Sequence, residues 1–491
     1  MELRRREVLL GGLGAAALTA CGGTPSSQPT SSTTASRTTA SGTASSGPST
    51  WADLARTLKG RLLLPGTLDY ATDKLTPNSR YDLARPLALL EAASEADVAA
   101  GIAYAQRRGL PVALRSGGHA YPGWSAGDGH LVIDTRRLST ITWSGTAVTV
   151  GAGVKLGHLY PALAASGRAL PGGSCPTVGV TGLTHGGGVG VMTRAYGLLC
   201  DHLISARVVL PTGETVTASA TDHDDLFWAI RGGGGGHTGV VTYLTYSTVP
   251  APTVSSTYLT WPVSRAGEVV SAWFSALGSA DPRLWSTLKI LGGTAHNGVA
   301  KMGATVTWVG PTSGFTSALA PLLATNPTGR YDAVHSFGAA MTYFGGDPNS
   351  REAFAATSHV AYAAPRTGDI VAVAQLIATT PGQIHESGIS IDALGGQVAA
   401  LAPDATAFVH RKALATVQYT ATFDEGSADV PSQFVEQLRT TMTGSWGTSA
   451  YVNYADASLA DPGTAYFGAN WPRLQQVRKA YDPHGFFTQP Q

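Results

Sequence analysis

The chain has 491 residues, 43% of them hydrophobic and 60 of them glycine, and its 33 basic and 32 acidic side chains leave a formal net charge of +1. A balance this even excludes the basic footprint of a nucleic-acid or anionic-membrane binder. The length allows about three domains or two large ones, and neither a zinc-type cysteine spacing nor a GxxxxGKS/T phosphate loop occurs.

Arg4-Arg5-Arg6 precede an apolar run from Val8 to Ala20 that is too short to span a bilayer and has the shape of a signal h-region. The arginines followed by Val8-Leu9-Leu10 resemble a bacterial Tat export signal. Leu18-Thr19-Ala20-Cys21 resembles a lipobox, in which Cys21 is acylated; a plain cleaved signal with an incidental cysteine is the other reading. Residues 1–20 are therefore expected to be a signal peptide. Residues 21–50, almost wholly Ser, Thr, Ala, Gly and Pro after the cysteine, should form a disordered tether. The protein is expected to be exported, touching a membrane only through a lipid on Cys21.

From Glu95 an amphipathic pattern predicts a helix through Ala105, followed by the apolar strand Pro111–Leu114. Leu131–Asp134, Ala147–Val150 and Arg207–Leu210 read as strands, and Leu156–Ala165 and Asp224–Ile230 as helices. Val240–Val249 alternates like a half-buried strand. This pattern describes one domain over 51–252, closed by Pro250-Ala251-Pro252. Trp261, Trp273, Trp285 and Trp308 then sit among mixed strands and helices, predicting a second domain over 253–445 with a C-terminal segment over 446–491.

Two turns carry the chemistry. Arg115-Ser116-Gly117-Gly118-His119 offers an imidazole, and Cys175-Pro176-Thr177-Val178-Gly179 offers a thiol, which attacks as thiolate. Glycines at 117, 118, 172, 173 and 179 let backbone approach a planar ligand where a Cβ would clash. Alone, His119 reads as a structural turn histidine. With Cys200 the only other cysteine of the body, a Cys175–Cys200 disulfide is the competing reading for an exported protein. Gly186–Gly188 and Gly232–Gly236 read as flexible loops or as backbone nests for a pyrophosphate. Gly123-Trp124-Ser125-Ala126-Gly127 matches the GxSxG elbow of hydrolases, but it follows a turn and leads into a strand, the wrong context. Gly151-Ala152-Gly153 fails as a dinucleotide fingerprint, because its third glycine is misplaced and no acid follows at about 20 residues.

Both turns, in this order, resemble the berberine-bridge-enzyme-like flavoproteins of the vanillyl-alcohol-oxidase superfamily. The resemblance extends to Tyr451-Val452-Asn453-Tyr454-Ala455-Asp456, Tyr466–Asn470 and Tyr481-Asp482-Pro483. It implies an α+β, two-domain protein: a PCMH-type FAD-binding domain, and a substrate domain whose antiparallel sheet, covered by helices, roofs the flavin. It implies FAD held bicovalently, through the 8α-methyl at His119 and ring carbon C6 at Cys175. Cofactor contacts are implied for Arg115, Ser116, Gly117, Gly118, Val178, Gly179, Gly182, Gly187, Val240 and Asn453.

Dehydrogenating an alcohol needs an acceptor for the O–H proton as hydride leaves for flavin N5. The resemblance places that role on Tyr454, with Asp392 as its acidic partner and Gln418 lining the pocket. A tyrosine titrates near 10 unperturbed, so the site must lower it or Tyr454 must pass its proton on. The structural alternatives are an aromatic strand, with Tyr451 packing on the opposite side from Tyr454, and a turn-capping Asp392 before Gly395-Gly396. Small Val178 stands where relatives control oxygen access and resembles the oxidases. His237-Thr238 depart from the family's usual Asn-Phe, and Leu394 from an often aromatic position.

The expectation is an FAD oxidase, a monomer, that takes hydride from an alcohol carbon of a sugar, oligosaccharide or glycosylated natural product and reduces O₂ to H₂O₂. The alternatives are oxidative cyclisation or aromatic or amine oxidation of a secondary metabolite, or a surface lipoprotein that binds solutes on a tryptophan platform.

Overall fold

The computed structural model describes residues 49–424 and 426–490; the signal-like segment, Cys21 and most of the Ser/Thr-rich tether lie outside them. Among the described residues eighteen strands follow in chain order. They are β1 Arg61–Leu63, β2 Ala88–Glu91, β3 Val112–Arg115, β4 Leu131–Asp134, β5 Ile141–Ser144, β6 Ala147–Gly151, β7 Arg168–Ala169, β8 Leu203–Val209 and β9 Thr215–Ser219. β10 Val240–Ser247, β11 Val249–Pro250, β12 Thr253–Trp261, β13 Leu284–Gly292 and β14 Lys301–Val309 come next, then β15 Gly329–Ser336, β16 Ala353–Ala361, β17 Glu386–Ala393 and β18 Ala415–Phe423.

The helix Glu95–Arg108 shows why the first sheet forms where it does. Ser94 accepts from the amide of Asp97 at its start, and Gly109 closes it in the left-handed region at φ 61°. Its apolar face, with Val98, Ile102 and Ala105, is buried. Gly101 faces Leu90 so closely that a Cβ would stand 2.7 Å from the leucine side chain. The helix returns the chain to β3, which runs parallel to β4 in a four-stranded sheet ordered β1-β2-β4-β3. A second, antiparallel sheet is ordered β5-β6-β10-β8-β9.

Beyond Ala251-Pro252 the chain builds an antiparallel seven-stranded sheet ordered β15-β12-β14-β13-β17-β18-β16. Its strands alternate, as a sheet with two different faces must. Leu284, Leu288 and Ile290 are buried in the core, while Trp285, Thr287, Lys289 and Leu291 face a cleft. The helices Ala266–Ser279, Thr367–Ala378 and Asp429–Trp446 pack together on the core side. Trp261, Trp273 and Trp308 are buried there too, and Trp273 donates to Ser286 Oγ at 2.9 Å. These three are core residues, so they form no surface platform of the kind the solute-binding reading requires. The C-terminal segment packs back on the first half: Tyr466, Phe467 and Leu474 cluster with Trp228, and the Tyr481 hydroxyl donates to Asp225 at 2.6 Å. Among the described residues no helix is long and apolar enough to cross a membrane.

Candidate active site

The cleft, about 540 Å³, lies between the glycine-rich turns of the first half and the open face of the seven-stranded sheet. β3 delivers the first turn. The Arg115 side chain is bonded to the protein on three sides: Nε donates to Asp134 Oδ2 at 2.5 Å, and the other nitrogens donate to the carbonyls of Lys74 and Asp73 at 3.0 and 2.7 Å. Arg115 also lines the cleft, so this anchoring role stands beside the cofactor contact expected of it. Removing one partner of a buried ion pair strands the other, so Arg115→Met should cost about 3–5 kcal/mol of stability. Chemical unfolding of the variant measures this.

The two nucleophile-bearing turns touch backbone to backbone. A Cβ on Gly117 would stand 2.1 Å from the Gly179 nitrogen, and one on Gly179 would stand 2.2 Å from Ser116 Oγ. Only glycine permits that contact. It sets His119 Nε2 2.8 Å from Thr177 Oγ1, a hydrogen bond that ties one turn to the other. Burial pushes the His119 imidazole down to about 4, with Lys155 adding to the effect, so the ring is neutral at neutral pH. Cys175 is free and open to the cleft, whereas Cys200 is free and buried, so no disulfide joins them. Protein packed around the Cys175 thiol pushes it up, against the pull of Lys289.

The opposite wall carries a phenol and a carboxylate. Tyr454 donates to Asp392 Oδ2 at 3.1 Å. Burial holds the Tyr454 hydroxyl well above its ordinary value, and the charge of Asp392 adds to this. Burial also raises the Asp392 carboxyl, opposed by Thr287, Lys289 and Tyr454. Gln418 Nε2 donates to the Tyr121 hydroxyl at 2.5 Å, and the Tyr121 ring stacks on Tyr454 with centroids 5.9 Å apart and planes 5° apart. Val452–Tyr454 is a turn of 3₁₀ helix, not the aromatic strand considered from sequence. Tyr451 is nevertheless buried, and its hydroxyl accepts from the Gly188 amide at 3.1 Å and from Asn453 Nδ2 at 2.9 Å.

Of the residues expected at the cofactor, the glycines 117, 118, 179 and 182, Ser116, Val178, Val240 and Asn453 all line the cleft with His119 and Cys175. Gly187 does not; it packs on Phe408, where a Cβ would meet the ring at 3.0 Å. Gly234, Gly235, Gly236 and Gln489 of the C-terminal tail do line it. His237 and Thr238 face a small adjoining recess that shares His185 and Gly234 with the cleft. Ser125 of the GxSxG match lies in the 3₁₀ turn Trp124–Ala126, outside any strand-to-helix elbow. Among the described residues no His, Cys, Asp and Glu group could hold a metal ion.

A flavin dinucleotide fits this donor set. The amides of Gly117, Gly118 and His119 meet no acceptor among the described residues, and Gly118 sits at φ +78°, where successive N–H groups turn to one side and cradle an anion. A Cβ placed on Gly182 would meet nothing within 4 Å, which leaves its face open to a flat ring. Tyr121 and Lys289, which sequence reasoning passed over, were both signalled: one stands two residues beyond His119, the other is the lone charge on the cleft-facing positions of β13.

A neutral imidazole and a thiol at one wall, facing a phenol–carboxylate pair at the other, define a redox site built around an organic cofactor. Residues 86–219 match the FAD binding domain model, and residues 450–491 match the berberine and berberine-like model. The chain is 31% identical to a chitooligosaccharide oxidase of Gibberella zeae, with 87% of this chain and 90% of the relative covered. It is 30% identical to an FAD-linked oxidoreductase of Bacillus subtilis, covering 88% and 96%. The structure of a carbohydrate oxidase from Microdochium nivale superposes with a TM-score of 0.81 at 25% identity, covering 90% and 98%. The chain belongs to the berberine-bridge-enzyme-like FAD-linked oxidoreductases.

Proposed function

We propose that this enzyme oxidises an alcohol carbon of a sugar or oligosaccharide and passes the electrons to O₂. The observation that carries the reading is the Tyr454–Asp392 pair in the same cleft as His119 and Cys175, supported by the carbohydrate-oxidising relatives. Bound there, FAD supplies a two-electron acceptor for hydride from the alcohol carbon and returns the electrons to O₂ as H₂O₂. His119 and Cys175 would hold the cofactor covalently at two points, and the free amides of Gly117 and Gly118 would offer hydrogen bonds to its anionic groups.

The chain's own residues manage the proton. Tyr454 already donates to Asp392 and its phenol is raised, so a standing tyrosinate is disfavoured. A relay is favoured instead: the phenol oxygen takes the substrate O–H proton as its own proton moves to Asp392. Tyr121, stacked on Tyr454 and bonded by Gln418, holds the ring in place. Measuring H₂O₂ release over a panel of sugars and glycosides tests the reading; a panel that yields none while the flavin is intact would overturn it.

Val178 lines the cleft, and the small side chain at this position supports the reading that oxygen has access there. Val178→Leu should slow reoxidation by O₂ while substrate reduction changes little. Stopped-flow reoxidation rates equal to wild type would count against that role.

A further inference from the structure

Lys289 is an unusual residue for the middle of a core strand. It lies on β13 in the run Leu284–Gly292, points into the cleft, and is only half buried. Its strand partners are Gly303 on β14 and Ser390 on β17. A glycine and a serine are too short to cover a lysine or neutralise it, so the ammonium stands clear of the sheet. It makes no hydrogen bond or ion pair among the described residues. Diagonally across the same face lies Lys301, also at the cleft, exposed, and also without an ion pair among the described residues. Like charges set as near neighbours on one sheet face repel.

The acids that share the cleft relieve this only in part, for none of them is bonded to either lysine among the described residues; Asp347, at the cleft too, accepts from the Asn349 amide at 2.8 Å. Asp392, diagonal to Lys289 on the other side, feels the lysine's charge without pairing with it, and its hydrogen bond is with Tyr454. Glu386 is bonded to His296 at 2.8 Å. Glu352 is pushed up to about 7 by burial and by Glu386 and Asp424, so it is only partly charged at neutral pH. Two ammonium groups with no bonded counter-ion therefore flank the route from the rim to Tyr454, and Lys289 stands one side-chain repeat, about 7 Å, along the strand from the row of Thr287 and Asp392.

We propose that the saccharide substrate is anionic and docks its charged group between Lys289 and Lys301, with the hydroxyl to be oxidised at Tyr454. The spacing places the charge on the oxidised sugar ring or the next one. This rests on the sugar-oxidase reading above and deepens it by naming the substrate class. A uronic-acid carboxylate meets the chemistry, as does an ester sulfate or phosphate.

The test uses the flavin-loaded enzyme and matched disaccharides differing only at one C6: a neutral hydroxymethyl, a carboxylate, and a sulfate ester. The anionic members should show KM values about tenfold or more below the neutral one, the size expected of charge-assisted hydrogen bonds, and the preference should shrink with salt. Comparing the carboxylate and the sulfate identifies the source of the charge. Lys289→Met, which keeps the aliphatic stem, should reduce the anionic preference about tenfold, and Lys289→Arg should retain most of it. Equal KM values for neutral and anionic members, or an unchanged preference in Lys289→Met, would overturn the proposal. Calorimetric titration with glucuronate against glucose reads binding apart from turnover. Tighter glucuronate binding that Lys289→Met weakens supports the lysine site even where no sugar reduces the flavin, an outcome that would sink only the oxidase reading; no such difference sinks the site.

Discussion

Tyr454→Phe should slow reduction of the flavin by substrate by about 10²–10⁴-fold, the usual cost of losing a positioned proton acceptor. The substitution removes one oxygen and keeps the ring that stacks on Tyr121, so flavin content and fold should be held. The neighbouring Tyr451→Phe is the internal control. Its hydroxyl accepts from the Gly188 amide and from Asn453, and losing it strands two buried donors. It should therefore cost stability, about 1–3 kcal/mol, more than rate. The relay also predicts a pH limb. Burial raises Asp392, and its protonated form cannot accept a proton, so the rate should fall as pH drops through a value above the ordinary carboxylate range. Asp392→Asn should lower the rate and abolish that limb. Anaerobic stopped flow across pH measures all three variants; equal rate losses in both tyrosine variants would move the proton acceptor elsewhere.

The first sheet and the start of its helix were legible because their residues carry local signals. The helix begins at Glu95 as read, behind the cap Ser94, but runs three residues past the expected Ala105 to Arg108, where Gly109 ends it, and the strand after it is apolar to its last residue, Arg115. The turns were legible as ligand-facing because glycine and a nucleophile recur in both. What Arg115 does was not, because its partner Asp134 comes from β4 and the carbonyls from residues 73 and 74. The same holds for Gly187, whose contact is Phe408 on a distant loop. Tyr451 and Tyr454 do not face opposite sides, as a strand's alternation would require: their rings meet edge to face with centroids 5.0 Å apart, and only their hydroxyls diverge. A 3₁₀ turn sends one hydroxyl to Gly188 and the other to Asp392. Lys289 needed the register: only its pairing with Gly303 and Ser390 shows that neither residue directly opposite it covers its charge.

Loss of both nucleophiles together, in His119→Ala/Cys175→Ala, should release the flavin to acid precipitation, while either single variant keeps a covalent adduct. The two side chains differ in readiness. His119, pushed down to about 4, presents a neutral imidazole at any pH above about 5, with Nε2 engaged by Thr177. Cys175 is pushed up, so its nucleophilic thiolate is scarce at neutral pH and grows as pH rises. In apoprotein reconstituted with FAD, the His119 link should form at a rate nearly independent of pH between about 6 and 9, and the Cys175 link should speed up over the same range. Intact mass and peptide mapping of His119→Ala and Cys175→Ala follow each link alone. Wild-type protein with no FAD adduct would end the two-point attachment. An adduct surviving in the double variant would mean a third nucleophile, and the buried Cys200 beside Asp201, itself pushed up by burial, is poorly placed to be it.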